Sequence, residues 1–393
     1  MLREFACKKT DKGVYYRECR NEFNRIWKML KSMLDTPCLV LDINLFEKNL
    51  IAMRDFAAAH GKKLRPHAKT HKCPEIARRQ ISCGNCAGVC AAKLSEAEKL
   101  ADAGISDILI TSPLSDSGKI RRAGELNKKI PGLKLTVDHP EQVKRLADCA
   151  FGERPLHLLV DADPEFGRTG VPFDQVPEFG RFIASFPQLR LDGVQCYAGH
   201  LQHISSFDER CAESTRLMRA GAAVYSILAA EFDTCRIFTG TGTGTLPADL
   251  LIPEVADVQV GSYCMMDAEY LAIEHGPVKF QPALRIISGV VSANHRGHAT
   301  IDAGTKAVYV TPGAPAQVIS GNVINNDLSY HWDFGDEHGH LTLSGQTILN
   351  PGDRVELIVS HCDPTVNLFD ELMIVDGEEV IDRWEIALRG CCR

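Results

Sequence analysis

A chain of 393 residues with 45% hydrophobic content has room for one barrel-sized domain and a smaller one, with a substantial core. Its formal net charge of -7 comes without a long basic run or an arginine–aromatic stripe, which argues against nucleic acid as a partner. No apolar run reaches bilayer length, the first residues lack the apolar core of a signal peptide, and the fifteen cysteines are scattered; the expectation is a soluble cytoplasmic protein, off the membrane, with reduced thiols.

In chain order, residues 1–34 are mixed and charged and form an extension of unreadable role. The apolar run Pro37–Ile43 follows. From Lys63 onward short apolar runs alternate with helix-length amphipathic segments, the pattern of parallel strands with crossover helices. The runs are Leu64–Lys69, Gly88–Ala92, Asp107–Thr111, Leu133–Val137, Leu156–Asp161, Leu191–Tyr197, Arg236–Gly240 and Val255–Gly261. Between them, Ser95–Ala103 carries Glu96 and Glu98 in its first turn, and Pro140–Cys149 has Asp138 as its expected cap. Eight such units predict an α/β fold, a (β/α)₈ TIM barrel over residues 35–275. An open doubly wound sheet would place a glycine-rich loop after its first strand, where this chain has Arg65-Pro66-His67-Ala68-Lys69. Cys83, Cys86 and Cys90 lack a second cysteine pair at ribbon spacing, so structural zinc is not expected there.

After Gly276 the texture becomes β-rich, with Ala283–Ala293, Thr300–Ala303, Ala307–Val310 and Arg354–Val359 separated by turn signals. This predicts a C-terminal antiparallel β domain over 276–393. Pro37–Ile43 has no place among the eight barrel runs and is expected to join that domain.

Catalytic groups of such barrels sit at the C-terminal ends of the strands. The first run ends in Arg65-Pro66-His67-Ala68-Lys69-Thr70-His71-Lys72. Neighbouring cations and burial both depress a lysine's pKa, so Lys69 is expected to be an imine-forming nucleophile; a solvated basic loop is the plainer alternative. The seventh run ends in Thr239-Gly240-Thr241-Gly242-Thr243-Gly244-Thr245 and the eighth in Gly261-Ser262-Tyr263, where backbone N–H groups and hydroxyls suit a phosphate. Arg168 stands in a glycine-flanked loop after the fifth run, able to bond a phenolate or carboxylate or merely a surface acid. Tyr197, His200 and His203 after the sixth run are candidate acid–base groups. On a continuing strand, His361 and Asp363 would share a face, giving an imidazole and a carboxylate for half a divalent-metal site; a simple His–Asp hydrogen bond is the alternative. Asp336-Glu337-His338-Gly339 could approach the same cavity.

With these motifs assembled, from Thr36-Pro37 through Arg65-Pro66-His67-x-Lys69-Thr70, Gly167-Arg168-x-Gly170, the Gly-Thr loop and His361-x-Asp363, the chain resembles the D-threonine aldolase and D-serine dehydratase family of fold-type III pyridoxal-phosphate enzymes. The resemblance implies that Lys69 binds pyridoxal 5'-phosphate covalently, that His67, Arg168, Tyr197, Thr241, Gly242, Thr243, Gly261, Ser262 and Tyr263 surround it, and that His361 and Asp363 bind a metal. It further implies a homodimer and a small D-3-hydroxy amino acid as substrate.

Within the family, Asp363 is a hard donor suited to manganese or magnesium ahead of zinc, whereas related dehydratases commonly place cysteine there. The expectation is therefore an aldolase that cleaves D-threonine or 3-hydroxy-D-aspartate to glycine and an aldehyde. Its alternative is a D-serine or D-3-hydroxyaspartate dehydratase releasing a 2-oxo acid and ammonia. The stretch from Tyr197 to Phe207 resembles the 3-hydroxy-D-aspartate aldolases. The general base is open among Tyr197, His203, His338 and a metal-bound water. A non-catalytic cofactor carrier and a racemase are the further readings, and neither gives the His361/Asp363 pair a role.

Overall fold

The computed structural model describes residues 29–149, 154–344 and 347–393. The N-terminal extension to residue 28 lies outside them. The first strand, β1 (Cys38–Asp42), leads into a helix over Ile43–Ala59 that Asp42 caps through its side chain, accepting from Leu45 N at 3.0 Å. Eight short parallel strands follow: β2 (Lys63–Leu64), β3 (Val89–Ala91), β4 (Asp107–Ile110), β5 (Gly132–Val137), β6 (Leu156–Ala162), β7 (Leu189–Cys196), β8 (Ile237–Gly240) and β9 (Asp257–Val258). They pair in the order β2-β9-β8-β7-β6-β5-β4-β3. Parallel bridges from Leu64 to Cys86 and from His67 to Cys90 span the remaining seam, so the barrel is nearly closed. Runs such as Leu158–Val160 are wholly buried, as strands covered on both faces require.

The helix after β5 runs Pro140–Asp148, and its cap differs from expectation. His139 takes that position, its Nδ1 accepting from Glu141 N at 3.1 Å. Asp138 instead joins Gln142, accepting from its Nε2 at 2.8 Å. The helix starts at Pro140 as expected, so the cap position falls on His139, the residue directly before the proline, and not on Asp138.

The C-terminal sheets comprise β10 (Leu284–His295), β11 (His298–Ile301), β12 (Gln317–Ser320), β13 (Val323–Ile324), β14 (Leu328–His331), β15 (Gly339–Leu343), β16 (Arg354–Ile358), β17 (Glu371–Asp376) and β18 (Glu379–Glu385). Ala307–Val310 is not a strand. Ala307 and Val308 fold back in a turn onto Gly304 O, which accepts both of their N–H groups. β1 enters this layer between β10, antiparallel with Leu39 opposite Ile286, and β17, parallel with Leu41 opposite Ile374. One apolar cluster runs from the barrel into these sheets, taking in Leu41, Val258, Ile286 and Leu357.

Two backbone bonds lock the layers at the site: Ala268 N donates to Val359 O at 3.0 Å and Glu269 N to Ser360 O at 3.2 Å. The segment after β9 is thereby pinned to the segment after β16. Among the described residues no helix is long and apolar enough to cross a membrane.

Candidate active site

The chain leaves β2 through Arg65-Pro66-His67-Ala68-Lys69. Arg65 turns into the barrel, its Nε donating to Asp257 at 3.0 Å and its Nη1 to Asp107, and Lys72 pairs with buried Glu96 at 2.6 Å. Two of the cations expected to bear on Lys69 are therefore neutralised by their own partners. Lys69 Nζ donates to Asp363 Oδ1 of the C-terminal segment. Enclosure lowers the lysine's pKa and this carboxylate raises it, and the carboxylate prevails: Lys69 stands above the ordinary lysine range. This corrects the expected depression, because the deciding charge comes from 294 residues away in sequence. For Asp363, burial raises the pKa, and Lys69 and His361 outweigh it to hold the carboxyl well below the usual range.

Lys69 borders a cavity of about 740 Å³ whose walls include His67, Thr70, Thr111, Arg168, Tyr197, Gly242, Thr243, Gly261, Ser262 and Tyr270. His67 Nε2 lies 3.1 Å from Thr111 Oγ1. The Arg168 guanidinium stands 4.9 Å from the Phe166 ring centre and 5.7 Å from that of Tyr197. His200 stacks on Phe166 at 4.9 Å. Burial raises the pKa of Tyr197, and Lys69 and Arg168 only partly offset it.

Gly242 and Gly244 lie flush against Gln202: a Cβ on the first would fall 2.2 Å from Gln202 Oε1, and one on the second 2.1 Å from Gln202 O. Only glycine allows this approach. Gln202, absent from the expected site, accepts from Gly244 N at 3.0 Å and donates to Thr245 Oγ1 and Ala198 O, each at 3.2 Å. Thr241 is buried at the head of the loop with φ +72° and is not part of the cavity wall. Tyr263 is likewise set back. It is 1% exposed and its hydroxyl accepts from Gln80, so Tyr270 takes the place at the wall.

His361 and Asp363 do come together, for a reason other than strand alternation. β16 ends at Ile358, and His361 stands directly before a helical turn over Cys362–Val366 without capping it through its side chain. His361 Nε2 and Asp363 Oδ2 are 3.9 Å apart. The other ring nitrogen, Nδ1, lies 2.9 Å from Asp267 Oδ2 and 3.3 Å from Glu269 Oε2. Asp267 is wholly buried and also takes Cys362 N at 2.9 Å. Glu269 reaches His203 as well, 3.6 Å from its Nε2, and the His203 ring sits 4.7 Å from that of Tyr270 and 6.4 Å from that of His361. Burial lowers the His203 pKa, with Glu269 and Asp267 pulling the other way. His338 is exposed on the β domain, and its neighbour Glu337 pairs with Lys306; it forms no part of this cluster. Asp267 and Glu269 were not expected here, since nothing in the run Met265-Met266-Asp267-Ala268-Glu269 ties it to a histidine near residue 361.

The alanine racemase N-terminal domain family matches residues 41–267, and the serine dehydratase domain family matches residues 283–375. The D-threonine aldolase of Arthrobacter sp is 34% identical over 364 residues, covering 92% of this chain and 94% of that protein. The chain belongs to the D-threonine aldolase and D-serine dehydratase family. Another member, the 3-hydroxy-D-aspartate aldolase of Paracoccus denitrificans (strain Pd 1222), is 33% identical with the same coverages. A crystal structure of D-threonine aldolase from Filomicrobium marinum superposes with a TM-score of 0.87 at 32% identity, covering 93% of this chain and 98% of that one. Membership makes this chain an enzyme, a lyase, built on the alanine racemase-like barrel with a mostly antiparallel C-terminal sheet domain.

Proposed function

We propose that the chain is a pyridoxal-phosphate-dependent and divalent-metal-dependent aldolase, cleaving D-threonine or 3-hydroxy-D-aspartate to glycine and an aldehyde. The observation that carries this reading is that Lys69, at the wall of the barrel-mouth cavity, pairs with Asp363 from the C-terminal domain.

The residues fit both groups. For the cofactor there is an amine at the wall, a glycine-bearing loop opposite, and the buried Thr243 hydroxyl, which lacks a hydrogen-bond partner; an orphaned buried donor is costly without a ligand. For the metal, Asp363 Oδ2 is buried and without a hydrogen-bond partner, 3.9 Å from His361 Nε2. Among the described residues no three His, Cys, Asp or Glu side chains converge as a complete cage, so the pair suits an ion that leaves positions for substrate and water.

Bound pyridoxal phosphate supplies an electron sink for the pair released when Cα–Cβ breaks. A divalent ion at His361 and Asp363 supplies Lewis acidity toward the substrate's 3-hydroxyl. The chain's own groups do the rest. Asp267 holds His361 Nδ1–H, so the Nε2 lone pair faces Asp363. Glu269 stands 3.6 Å from His203 Nε2 as its acidic neighbour, and His203 is the group assigned to take the hydroxyl proton. Burial favours the neutral imidazole of His203, the form that accepts a proton, against the pull of Glu269 and Asp267. Tyr197, with its raised pKa, stays a protonated phenol near neutral pH and is less available as a base. The aromatic side chains Phe166, Tyr197 and Tyr270 form an apolar part of the cavity wall.

Incubation with pyridoxal phosphate and manganese or magnesium, first with D-threonine and then with D-3-hydroxyaspartate, tests the reading. Glycine and an aldehyde support it, and a 2-oxo acid with ammonia replaces it with the dehydratase.

A further inference from the structure

Arg210, on the helix Phe207–Glu231, is 0% exposed. Among the described residues no carboxylate lies within ion-pair distance of it. Its guanidinium meets three backbone carbonyls instead: Nε donates to Gly244 O at 2.8 Å, Nη1 to Ile204 O and Nη2 to Glu274 O. A buried cation that no described carboxylate pairs with directly is unusual, because desolvation penalises it heavily; burial lowers the Arg210 pKa, and the charges of Cys211 and Glu274 only partly oppose it. The acid beside the loop, Asp249, takes its hydrogens from the Ser214 and Thr245 hydroxyls and leaves Arg210 alone.

One of the three carbonyls belongs to the Gly-Thr loop and the other two to the segments at Ile204 and Glu274, and the guanidinium also stands 5.5 Å from the Phe207 ring centre. The guanidinium holds Gly244 C=O while Gln202 Oε1 holds Gly244 N–H, so this residue is fixed from both sides. A trans peptide sets the next N–H antiparallel to the carbonyl. Clamping Gly244 C=O therefore turns Thr245 N–H away from the guanidinium and aligns the peptide dipole with its positive end on the far side. On the cavity side of the same loop stand Gly242 and Thr243, the latter with its buried, unpartnered hydroxyl.

We propose that Arg210 is the positioning residue that makes this loop selective for a dianionic phosphate: the ligand supplies the anionic partner that no described carboxylate provides by direct contact. The three carbonyl bonds also tie the segments at Ile204 and Glu274 to the loop, so all three order together when the anion binds. The proposal rests on the pyridoxal-phosphate reading above.

The test compares the apoprotein with Arg210→Gln and Arg210→Lys, titrating each with pyridoxal 5'-phosphate and with unphosphorylated pyridoxal, and following the melting shift given by inorganic phosphate. Arg210→Gln should weaken pyridoxal phosphate by about tenfold or more, the scale of one charge-assisted contact, leave pyridoxal affinity unchanged and abolish the phosphate-induced shift. Arg210→Lys should recover most of the preference. Equal weakening of both aldehydes, or of neither, overturns the proposal. Should the glutamine variant not fold, hydrogen exchange of the wild-type apoprotein decides: inorganic phosphate should protect residues 202–206 and 274–276 along with 241–245, and protection of 241–245 alone overturns the proposal. A wild-type protein that binds neither aldehyde would instead remove the pyridoxal-phosphate reading itself.

Discussion

Replacing Gly242 by alanine isolates a steric effect, because the backbone there is outside the left-handed region and the three atoms nearest the new methyl all belong to the Gln202 side chain. Its Cβ would lie 2.2 Å from Gln202 Oε1 and 2.4 Å from Gln202 Cδ, more than an ångström inside ordinary contact. Gln202 is 2% exposed and cannot swing aside without releasing Gly244 N, Thr245 Oγ1 and Ala198 O. Overpacking of this kind costs about 1–3 kcal/mol. Gln202→Ala loses the same hydrogen bonds and strands the Gly244 N–H, for a cost of about 1–3 kcal/mol. With the amide gone, the methyl at 242 has room, so in the Gln202→Ala background Gly242→Ala should cost no more than ~0.5 kcal/mol. Gly244→Ala is the control: its Cβ would strike the backbone oxygen of Gln202 at 2.1 Å, and trimming the side chain cannot relieve that. Urea unfolding of the apoproteins provides the double-mutant cycle. Additive costs for Gly242→Ala and Gln202→Ala, or rescue of Gly244→Ala, would refute the reasoning.

His361→Ala should retain the absorbance of bound cofactor and lose turnover, seen by spectrum and glycine assay on one sample; loss of the spectrum places His361 in cofactor binding instead. Asp267→Asn should weaken manganese binding by about 10–100-fold, as loss of a partner that orients a metal-bound histidine does, and calorimetric titration measures it. His203→Asn should lower kcat by about 10²–10⁴ while the pyridoxal phosphate titration stays unchanged. Burial pushes the Asp249 carboxyl up to about 6, with the Ser214 and Thr245 hydroxyls opposing. An unfolded aspartate titrates near about 3.9, so between these values the native state binds the extra proton. This contribution to stability is fullest below the lower value and falls as pH rises toward the upper one. The stability difference between wild type and Asp249→Asn should therefore shift against the wild type across that window in urea unfolding, and a flat difference would contradict the assignment.

The barrel was legible because its strands are short apolar runs between amphipathic helices, a pattern local enough to survive without tertiary information. The β domain was harder. Leu328–His331 and Gly339–Leu343 alternate buried with solvent-facing positions among polar residues, so neither reads as an apolar run, while the apolar Ala307–Val310 is a turn. Lys69 was visible at its strand end, but its charge state was not, since Asp363 reaches it from the far end of the chain. His361 and Asp363 were found by an alternation that β16 does not extend to; a helical turn brings the two side chains together instead. Arg210 reads as one more charge on a polar helix. Only the carbonyls of three separate loops reveal it as buried.

Borohydride reduction of the protein loaded with pyridoxal phosphate, followed by peptide mapping, tests most directly that one amine of the barrel mouth carries the cofactor. A single pyridoxyl adduct on Lys69, absent from Lys69→Ala, is the expected result. An adduct on another lysine, with Lys69 unmodified, would contradict it.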